Sequence, residues 1–352
     1  MKTIDKTKPV LVTGATGYLA SWVVKQLLDD GLTVHGTVRN KAKTEKYQHL
    51  MDIAAKSKGK LEIFEADLLK ESSFDTAMKN CELVIHTASP FQISGLKDPQ
   101  KQLIEPALQG TGNVLNTVNR TDSVKRVVLT SSMAAIYGDS IDCKDASYGI
   151  LTEEIWNTTS SLKHQPYSYS KTLAEKEAWK VAEAQQRWDL VVINPGFILG
   201  PSLDKNNSGV SNEFMSDLGN GKFKMGAPEG TMGMVDVRDV AKAHILAGFT
   251  PKAKGRHITA GHNKSFFDIA TILRKSYPDL PLPKKPLPKP LAWLVGPMFG
   301  LTRSYVKKNF NIDLKFDNSY VQKDLGLKFI PLEKTVNDHF EQMINDGVIK
   351  KK

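Results

Sequence analysis

The chain has 352 residues, of which 40% are hydrophobic and 24% are charged, a composition that is typical of globular proteins and excludes a disordered or fibrous chain. Its net charge of +10 is concentrated in 1–8, 281–308 and 350–352, and the remaining sequence is nearly neutral. This distribution argues against a general nucleic-acid-binding protein.

The composition also limits the kinds of site and the compartment. Two cysteines, Cys81 and Cys143, are too few for a disulfide scaffold, and no His/Cys/Asp spacing predicts a metal site. The first apolar stretch is too short for a signal peptide, and the longest uncharged runs fall short of the ~20 residues that span a bilayer. We therefore expect a soluble cytoplasmic protein, a monomer or homodimer, without a metal or a nucleic-acid partner.

Short β-branched runs alternate with segments of helical spacing along the first part of the chain. The runs are 9–13, 32–38, 60–66, 82–88, 124–130 and 189–195, and the helical segments are 19–28, 72–78, 102–118 and 170–184. Nearly continuous apolar strands separated by helices indicate a parallel sheet that is covered on both faces. The sequence therefore predicts an α/β fold with a doubly wound, Rossmann-type parallel sheet.

The character of the sequence changes after Pro195. Residues 200–235 are rich in Gly, Asn and Ser and predict loops with one helix, whereas 236–247 and 256–261 regain helix and strand patterns. We predict a dinucleotide-binding Rossmann domain over 1–196 and a smaller C-terminal substrate lobe over 197–352. Segments near 236–261 are expected to return to the first domain.

A glycine-rich turn follows the first predicted strand. Gly14, Gly17 and Ala20 form the pattern GxxGxxA, a variant of the dinucleotide fingerprint. Gly14 permits the tight turn, Gly17 lets the backbone approach a pyrophosphate at the helix amino terminus, and the small Ala20 allows close packing of helix on strand. This turn predicts a dinucleotide cofactor.

The end of the second strand indicates which dinucleotide binds. An NAD enzyme usually carries an acid there to bind the ribose 2′-hydroxyl, but this chain has Arg39, followed by Lys41, Lys43 and Lys46. A guanidinium binds a 2′-phosphate through two parallel hydrogen bonds, whereas an acid would repel it. The sequence therefore predicts NADP(H).

A serine, a tyrosine and a lysine follow the fifth strand. Tyr167 and Lys171 are four residues apart and share one helix face, and Ser132 ends the strand in TSS. A carbonyl that accepts hydride needs a proton donor and a hydrogen-bond donor, and an ammonium near a tyrosine would lower the pKa of its phenol. We expect Tyr167, Lys171 and Ser132 to be catalytic, with Ser131 as the competing choice for the serine.

Several motifs together resemble the extended short-chain dehydrogenase/reductases. TGATGYLA, TVRN, ADL, TAS, TSS, YSYSK, NPGFILGP and VDVRDVAKAH occur over 9–247 in that family's order and spacing. The sequence is most similar to the branch of dihydroflavonol reductases, cinnamoyl-CoA reductases and aldehyde/ketone reductases. With the glycine turn, the resemblance implies cofactor contacts at Thr13, Gly14, Ala15, Thr16, Gly17, Tyr18, Leu19, Arg39, Lys46, Asp67, Leu68, Thr87, Ala88, Ser89, Tyr167, Lys171, Pro195, Gly196, Phe197 and Ile198.

The resemblance implies an NADPH-dependent reductase of an aldehyde or ketone, which in reverse is an alcohol dehydrogenase. A nucleotide-sugar epimerase or dehydratase and a 3β-hydroxysteroid dehydrogenase are alternatives on the same fold. Epimerases and dehydratases usually carry a further Ser or Thr where this chain has Met133, and a non-catalytic NADP sensor would not need Tyr167 and Lys171. Both differences favour simple reduction.

The expected substrate is a small apolar or aromatic carbonyl compound or alcohol. Cinnamoyl-CoA reductases tend to have NWYCYGK around the tyrosine, whereas this chain has HQPYSYSK, which favours a free carbonyl over a CoA thioester. We expect apolar side chains from both lobes to line the cleft, namely Phe91, Ile93, Phe197, Met215 and Phe223.

The segment 281–308 is basic, contains no acid and opens with a stiff proline-rich stretch. Leu291, Leu294, Val295 and Met298 would share one apolar helix face, near Trp293 and Phe299. One interpretation is a cover that packs on the second lobe near the substrate cleft. The other is a peripheral membrane contact, in which the aromatic side chains enter an anionic bilayer and the cations bind headgroups.

Overall fold

The alternating β-branched runs and helices fold into a three-layer α/β structure. The computed structural model describes residues 1–89, 96–205, 209–299 and 301–349, without the side chain of residue 299. In this part of the chain the strands are β1 Val10–Thr13, β2 Thr33–Val38, β3 Lys60–Glu65, β4 Leu83–His86, β5 Arg126–Thr130, β6 Asp189–Pro195, β7 Phe197–Leu199, β8 Met232–Asp236, β9 Gly255–Thr259 and β10 His262–Lys264.

The α-helices in the described ranges vary from one turn to five. They are α1 Tyr18–Asp29, α2 Gln48–Ala54, α3 Asp75–Met78, α4 Glu105–Arg120, α5 Pro166–Glu183, α6 Val210–Gly219, α7 Val237–Phe249, α8 Phe266–Ser276, α9 Lys289–Val295, α10 Arg303–Asn309, α11 Ser319–Leu325 and α12 Leu332–Asn345. Helix α3 is shorter than the predicted 72–78, because Ser72 has a φ of 60°, which a right-handed helix cannot contain.

The main sheet has seven parallel strands in the order β3-β2-β1-β4-β5-β6-β9. The predicted doubly wound Rossmann-type sheet is therefore confirmed, and all six predicted strands are present. The strand order reverses between β1 and β4, and open α/β sheets bind ligands in the crevice outside the carboxyl ends of the strands at such a point. The glycine turn after β1 lies beside this crevice.

Two apolar layers cover the sheet. One core contains Val23, Leu27 and Val240 from α1 and α7, and the other contains Val114 from α4 and Ala178 from α5. These side chains are almost completely buried, and each layer packs on the nearly uninterrupted apolar strands between them. The helices thus fix the carboxyl ends of β1, β4 and β5, where the predicted site residues lie.

The chain after β6 builds a second apolar core before and after it returns to the sheet. Strands β7, β8 and β10 form a small separate sheet, and α6, α8 and α12 pack around a core that includes Leu218, Met234 and Phe340. Strand β9 pairs in parallel with β6 and completes the main sheet. The division into domains at 196/197 stays a prediction.

Helices α9 and α10 form a separate small cluster near the end of the chain. Its buried members are Ala292, Val306 and Phe310. The predicted apolar face does not pack inward as a whole, because Leu294 and Met298 are 63% and 83% exposed. Leu294 lies inside α9 and faces solvent, whereas Met298 lies in the 3₁₀ turn with Pro297 that follows Val295, where the helical phase is not continued.

Candidate active site

A cavity of about 380 Å³ lies at the reversal of strand order. The glycine turn between β1 and α1 forms its floor. Gly14 has a φ of +65°, and a Cβ built on it would lie 3.0 Å from the Cβ of Ala88. Only glycine fits there without strain, so the backbone can approach a bound group as closely as a pyrophosphate requires.

Most of the predicted cofactor contacts lie around this cavity. Those that line it are Gly14, Thr16, Gly17, Tyr18, Leu19, Arg39, Asp67, Leu68, Thr87, Ala88 and Ser89. The lining also includes residues that were not predicted as cofactor contacts, namely Ala20, Thr37, Val38, Ala66, Leu69, Phe74 and Pro106. Thr37, Val38 and Ala66 lie at the ends of β2 and β3, so the strand prediction could have indicated these three.

Three predicted contacts line neither this cavity nor the one that adjoins it. Ala15 is fully buried, and Thr13 lies behind the turn, where its Oγ1 accepts a hydrogen bond from the backbone of Ala88 and bonds to His86 Nδ1. Thr13 thus holds β1 against the end of β4, and the backbone N–H of Ala15 donates to Thr37 of β2. Lys46 ends an exposed 3₁₀ helix at Thr44–Lys46, outside the cavity lining, because 40–43 form a turn that carries it away from the end of β2.

The end of β2 presents a cation to the cavity. Arg39 is exposed at its rim and follows Val38 directly, so no acid occupies the position that binds a ribose 2′-hydroxyl in NAD enzymes. The turn after β3 is ordered by Asp67, whose Oδ1 accepts from the backbone N–H of Leu69 at 2.9 Å. The cradle therefore fits a dinucleotide with an extra phosphate.

A second cavity of about 540 Å³ adjoins the first. Tyr18, Leu19, Thr87 and Ser89 line both, so the two spaces form one continuous cleft. The second cavity brings together all three predicted catalytic residues and the end of β6, and its lining includes Ser132, Tyr167, Lys171, Pro195, Gly196, Phe197 and Ile198. Residues from β5, β6 and α5 thus meet at one edge of the sheet.

The serine and the tyrosine are in direct contact. Pro166 occupies the first turn of α5, and the side chain of Tyr167 is hydrogen-bonded to that of Ser132. Ser132 Oγ also accepts from the backbone N–H of Ala134 at 3.1 Å. The Oγ of Ser131 instead donates to the buried carboxylate of Glu175. This geometry favours Ser132 as the partner of Tyr167.

The electrostatics differ from the sequence expectation at one point. Burial raises the pKa of Tyr167 to about 12, and the hydrogen bond from Ser132 opposes that rise only in part. Burial also lowers the pKa of Lys171 to about 8, against the charge of Glu175. The Lys171 ammonium donates to Ser89 Oγ at 3.1 Å, toward the cofactor cleft. The pKa of Tyr167 is therefore raised and not lowered as expected, because desolvation dominates and the charge of Lys171 does not offset it.

The wall of the second cavity contains more polar side chains than expected. Besides Phe197, the cavity is lined by Tyr137, Gln165, Tyr305 and Asn309, and by apolar side chains that include Met133 and Met232. Tyr305 and Asn309 come from α10, far along the chain, and no local sequence signal links them to the site. The predicted lining residues Met215 and Phe223 pack in the second core instead. Phe91 and Ile93 lie outside the described residues.

A buried carboxylate holds this wall in place. Asp139 is fully buried and contacts the side chains of His164 at 2.6 Å, Lys308 at 3.2 Å and Asn309 at 2.7 Å. These hydrogen bonds keep the pKa of Asp139 below its usual range, although burial itself raises that pKa. Because Lys308 and Asn309 belong to α10, the carboxylate ties that helix to the loop after β5.

No group of three or more metal-binding side chains occurs in the part of the chain that the structure describes. His86 is buried and hydrogen-bonded to Thr13, as expected of a core histidine, and burial lowers its pKa to about 3. Within the described ranges, no helix is both long enough and apolar enough to cross a bilayer.

Comparison with known proteins gives a consistent result. Residues 10–261 match the model of the NAD dependent epimerase/dehydratase family. The chain is 38% identical to cinnamoyl-CoA reductase CAD2 of Medicago truncatula, over 95% of both chains. It is 36% identical to tetraketide alpha-pyrone reductase 1 of Arabidopsis thaliana, over 98% of both.

Solved structures agree with these relatives. Yeast methylglyoxal/isovaleraldehyde reductase Gre2 complexed with NADPH superimposes with a TM-score of 0.78 at 28% identity, over 97% of this chain and 100% of that chain. The resemblance that the motifs indicate is therefore confirmed. The chain belongs to the NAD-dependent epimerase/dehydratase family, in the dihydroflavonol reductase-like branch of the extended short-chain dehydrogenase/reductases.

Proposed function

We propose that this NADP(H)-dependent oxidoreductase reduces the carbonyl group of an aldehyde or ketone to an alcohol, with Tyr167 as the proton donor. The observation that carries the proposal is the hydrogen bond between Tyr167 and Ser132 inside a cavity continuous with the dinucleotide cleft. A carbonyl in this cavity would receive two hydrogen bonds on its oxygen from side chains that already face each other.

The cofactor cradle supports NADP(H) in particular. The turn at Gly14 and Gly17 would hold the pyrophosphate, Arg39 the 2′-phosphate, and Asp67 with Leu68 the adenine. When bound, NADPH supplies the hydride. Lys171 would hold the nicotinamide ribose, because its ammonium faces Ser89 at the junction of the two cavities.

Side chains of this protein would stabilise the negative charge on the substrate oxygen and supply the proton. As hydride reaches the carbonyl carbon, negative charge grows on the oxygen, where the hydroxyls of Ser132 and Tyr167 stabilise it. Tyr167 gives its proton to that oxygen and becomes a phenolate. Burial raises the pKa of Tyr167 to about 12, so the neighbouring Lys171 ammonium is needed to stabilise the phenolate.

Two features of the cavity support reduction over epimerisation or dehydration. The positions after the serine pair are Met133 and Ala134, and both line the cavity without a group that moves protons. The remaining lining combines apolar side chains with Tyr137 and Tyr305, which suits an aromatic or aliphatic carbonyl compound that also carries a polar substituent.

The test is a screen of NADPH oxidation against aldehydes, ketones and CoA thioesters, with NADH as the cofactor control. We expect turnover with free carbonyl compounds and little with thioesters. Tyr167→Phe should lower turnover by about 10²–10⁴-fold and keep NADPH affinity, since it removes a general acid and no cofactor charge. Tyr169→Phe, two residues along the same helix, serves as the matched control.

Near-normal turnover in Tyr167→Phe would contradict the proposed role of this tyrosine. Turnover with thioesters alone would contradict the free-carbonyl preference and leave the proton donor in place. Inactivity of the wild type against all three classes, with NADPH bound, would contradict reduction itself.

A further inference from the structure

Large apolar side chains are exposed together on α9 and the turn that follows it. Trp293 is 44%, Leu294 63% and Met298 83% exposed. Most exposed apolar side chains elsewhere in the described ranges are isolated, whereas these three occur within six residues. Exposed apolar groups so close together are typical of a surface that contacts another apolar phase.

The same segment is strongly basic. Residues 281–308 carry six cations and no acid, and Lys284, Lys285, Arg303 and Lys307 are exposed. The Arg303 guanidinium lies over the Trp293 ring, 4.4 Å from its centroid, so a cation and an aromatic ring are presented together. The loop at 220–228 adds the exposed Lys224 and Met225, and Lys222, which is paired with Asp217. This loop pairs with the segment through the bridge between Ala227 and Pro286.

The inner side of the segment is fixed to the protein. Lys289 Nζ donates to the backbone carbonyls of Lys307 and Phe310, and Lys308 pairs with buried Asp139. Ala292 and Val306 are buried between the two helices. The backbone of the segment is therefore anchored to the rest of the protein while these side chains stay exposed. Contact with a surface would not require the segment to unfold.

We propose that this basic apolar surface, formed by 284–298 and 301–308, binds the anionic face of a lipid bilayer. The cations would contact lipid headgroups, and Trp293, Leu294 and Met298 would enter the boundary between headgroups and acyl chains. A second copy of the chain fits less well, since a two-fold contact would bring this cationic surface against itself. A protein partner would have to be acidic around an apolar centre, whereas an anionic bilayer supplies both features everywhere on its surface.

The experiment is sedimentation with phosphatidylcholine vesicles that contain phosphatidylserine, and with vesicles of phosphatidylcholine alone. Both are run at roughly 0.05 M and roughly 0.5 M salt, because screening shortens the reach of headgroup charge. We expect binding to the anionic vesicles at low salt, with a decrease at high salt. Each cation near the surface is worth about fivefold in binding, so Lys284→Glu/Lys285→Glu should lower binding at least tenfold.

Matched variants locate the contact. Trp293→Ala/Leu294→Ala/Met298→Ala should lower binding at both salt concentrations, because it removes the apolar component. Lys56→Glu/Lys58→Glu makes the same charge change in the loop before β3, and Met51→Ala/Leu162→Ala removes exposed apolar groups elsewhere; both should bind as the wild type does. Unchanged unfolding temperatures confirm that each variant is folded.

Three outcomes would overturn the proposal. Wild type that stays in the supernatant with anionic vesicles at low salt shows no bilayer contact. An equal loss in Lys284→Glu/Lys285→Glu and in Lys56→Glu/Lys58→Glu shows that net charge alone causes binding. Self-association in light scattering without lipid, abolished by the triple alanine variant, assigns the surface to a second copy of the chain.

Discussion

The buried carboxylate of Glu175 forms an ion pair with Arg256, with 2.6 Å between Oε1 and Nε. Glu175 lies one helical turn after Lys171 and also accepts hydrogen bonds from Ser131 and from Asn194, the latter at 2.8 Å. This pair connects α5, β5, β6 and β9 beneath the catalytic residues.

Removing one partner of that ion pair should lower the stability of the fold. Glu175→Ala leaves the Arg256 guanidinium buried without its carboxylate, so the free energy of unfolding should fall by about 3–5 kcal/mol in urea titration. Glu177→Ala, on the same helix but exposed, should change it by less than about 1 kcal/mol. A double variant, Glu175→Met/Arg256→Met, should recover part of the loss, and an equally unstable double variant would contradict the argument.

Substitution of the two adjacent serines should have different effects, on turnover for Ser132 and on stability for Ser131. Ser132→Ala removes the hydroxyl that contacts Tyr167, so kcat should fall by about 10²-fold. Ser131→Ala removes a hydrogen bond to Glu175, so it should lower the unfolding temperature and largely keep kcat. The reverse pattern in steady-state kinetics would assign the carbonyl contact to Ser131.

Arg39 should determine the choice between cofactors. Arg39→Asp should raise KM for NADPH about tenfold or more, because a lost charge-assisted hydrogen bond is worth ~1.5–3 kcal/mol. KM for NADH should change little or improve. Lys46→Asp should have a smaller effect, since Lys46 lies outside the cavity lining. An equal loss with both cofactors in Arg39→Asp would exclude Arg39 as the 2′-phosphate contact.

Lys171 should affect both binding and turnover. Its ammonium donates to Ser89, and Lys171 lines the second cavity together with Tyr167, so Lys171→Met should weaken NADPH binding by fluorescence titration and also lower kcat. Lys180→Met, exposed near the end of the same helix, should change neither. Loss of kcat with unchanged NADPH affinity would restrict Lys171 to the proton-transfer step.

Buried neutral histidines should make the fold sensitive to acid. Burial lowers the pKa of His339 to about 4, and its Nδ1 accepts a hydrogen bond from the backbone N–H of Gly200 at 3.1 Å. Below the ordinary pKa of about 6.5 the unfolded chain takes up the proton and the native chain does not. Stability contributed by this residue is therefore present at pH 7 and lost as the pH falls toward 4.

The measurement compares urea unfolding of the wild type and of His339→Gln. At pH 5 the wild type should lose about 2 kcal/mol more than the variant, relative to pH 7. The comparison with the variant matters because burial raises the pKa of Asp239 to about 7, which acts in the opposite direction. Parallel pH profiles for the two proteins would exclude the histidine as the cause.

The sequence predicted the parts of the molecule that local patterns encode. Continuous apolar runs predicted β1 to β6, and the pairing of Gly14 and Gly17 with a following helix predicted where the dinucleotide cleft lies. The placement of Tyr167 and Lys171 on α5 followed from helical spacing alone. In each case the physical signal lies within a few residues.

Features that depend on long-range packing could not be predicted in this way. Tyr305 and Asn309 line the cavity because Asp139 holds α10 against the loop after β5, about 170 residues earlier in the chain. The high pKa of Tyr167 reflects burial, which the spacing to Lys171 does not reveal. The exposure of Leu294 and Met298 could not be predicted from apolar spacing, because it depends on what packs against α9 and on the tighter turn that contains Met298.

The wall supplied by α10 has a consequence for how this enzyme can diversify. Ser132, Tyr167 and Lys171 come from β5 and α5, whereas Tyr305 and Asn309 come from a short helix encoded far downstream. Codon changes at 305 would reshape what the pocket accepts and leave the proton donor and the cofactor cradle untouched. A library confined to this position, with Asp139, Lys308 and Asn309 kept to hold α10, should therefore yield altered substrate ranges in proteins that still bind NADPH.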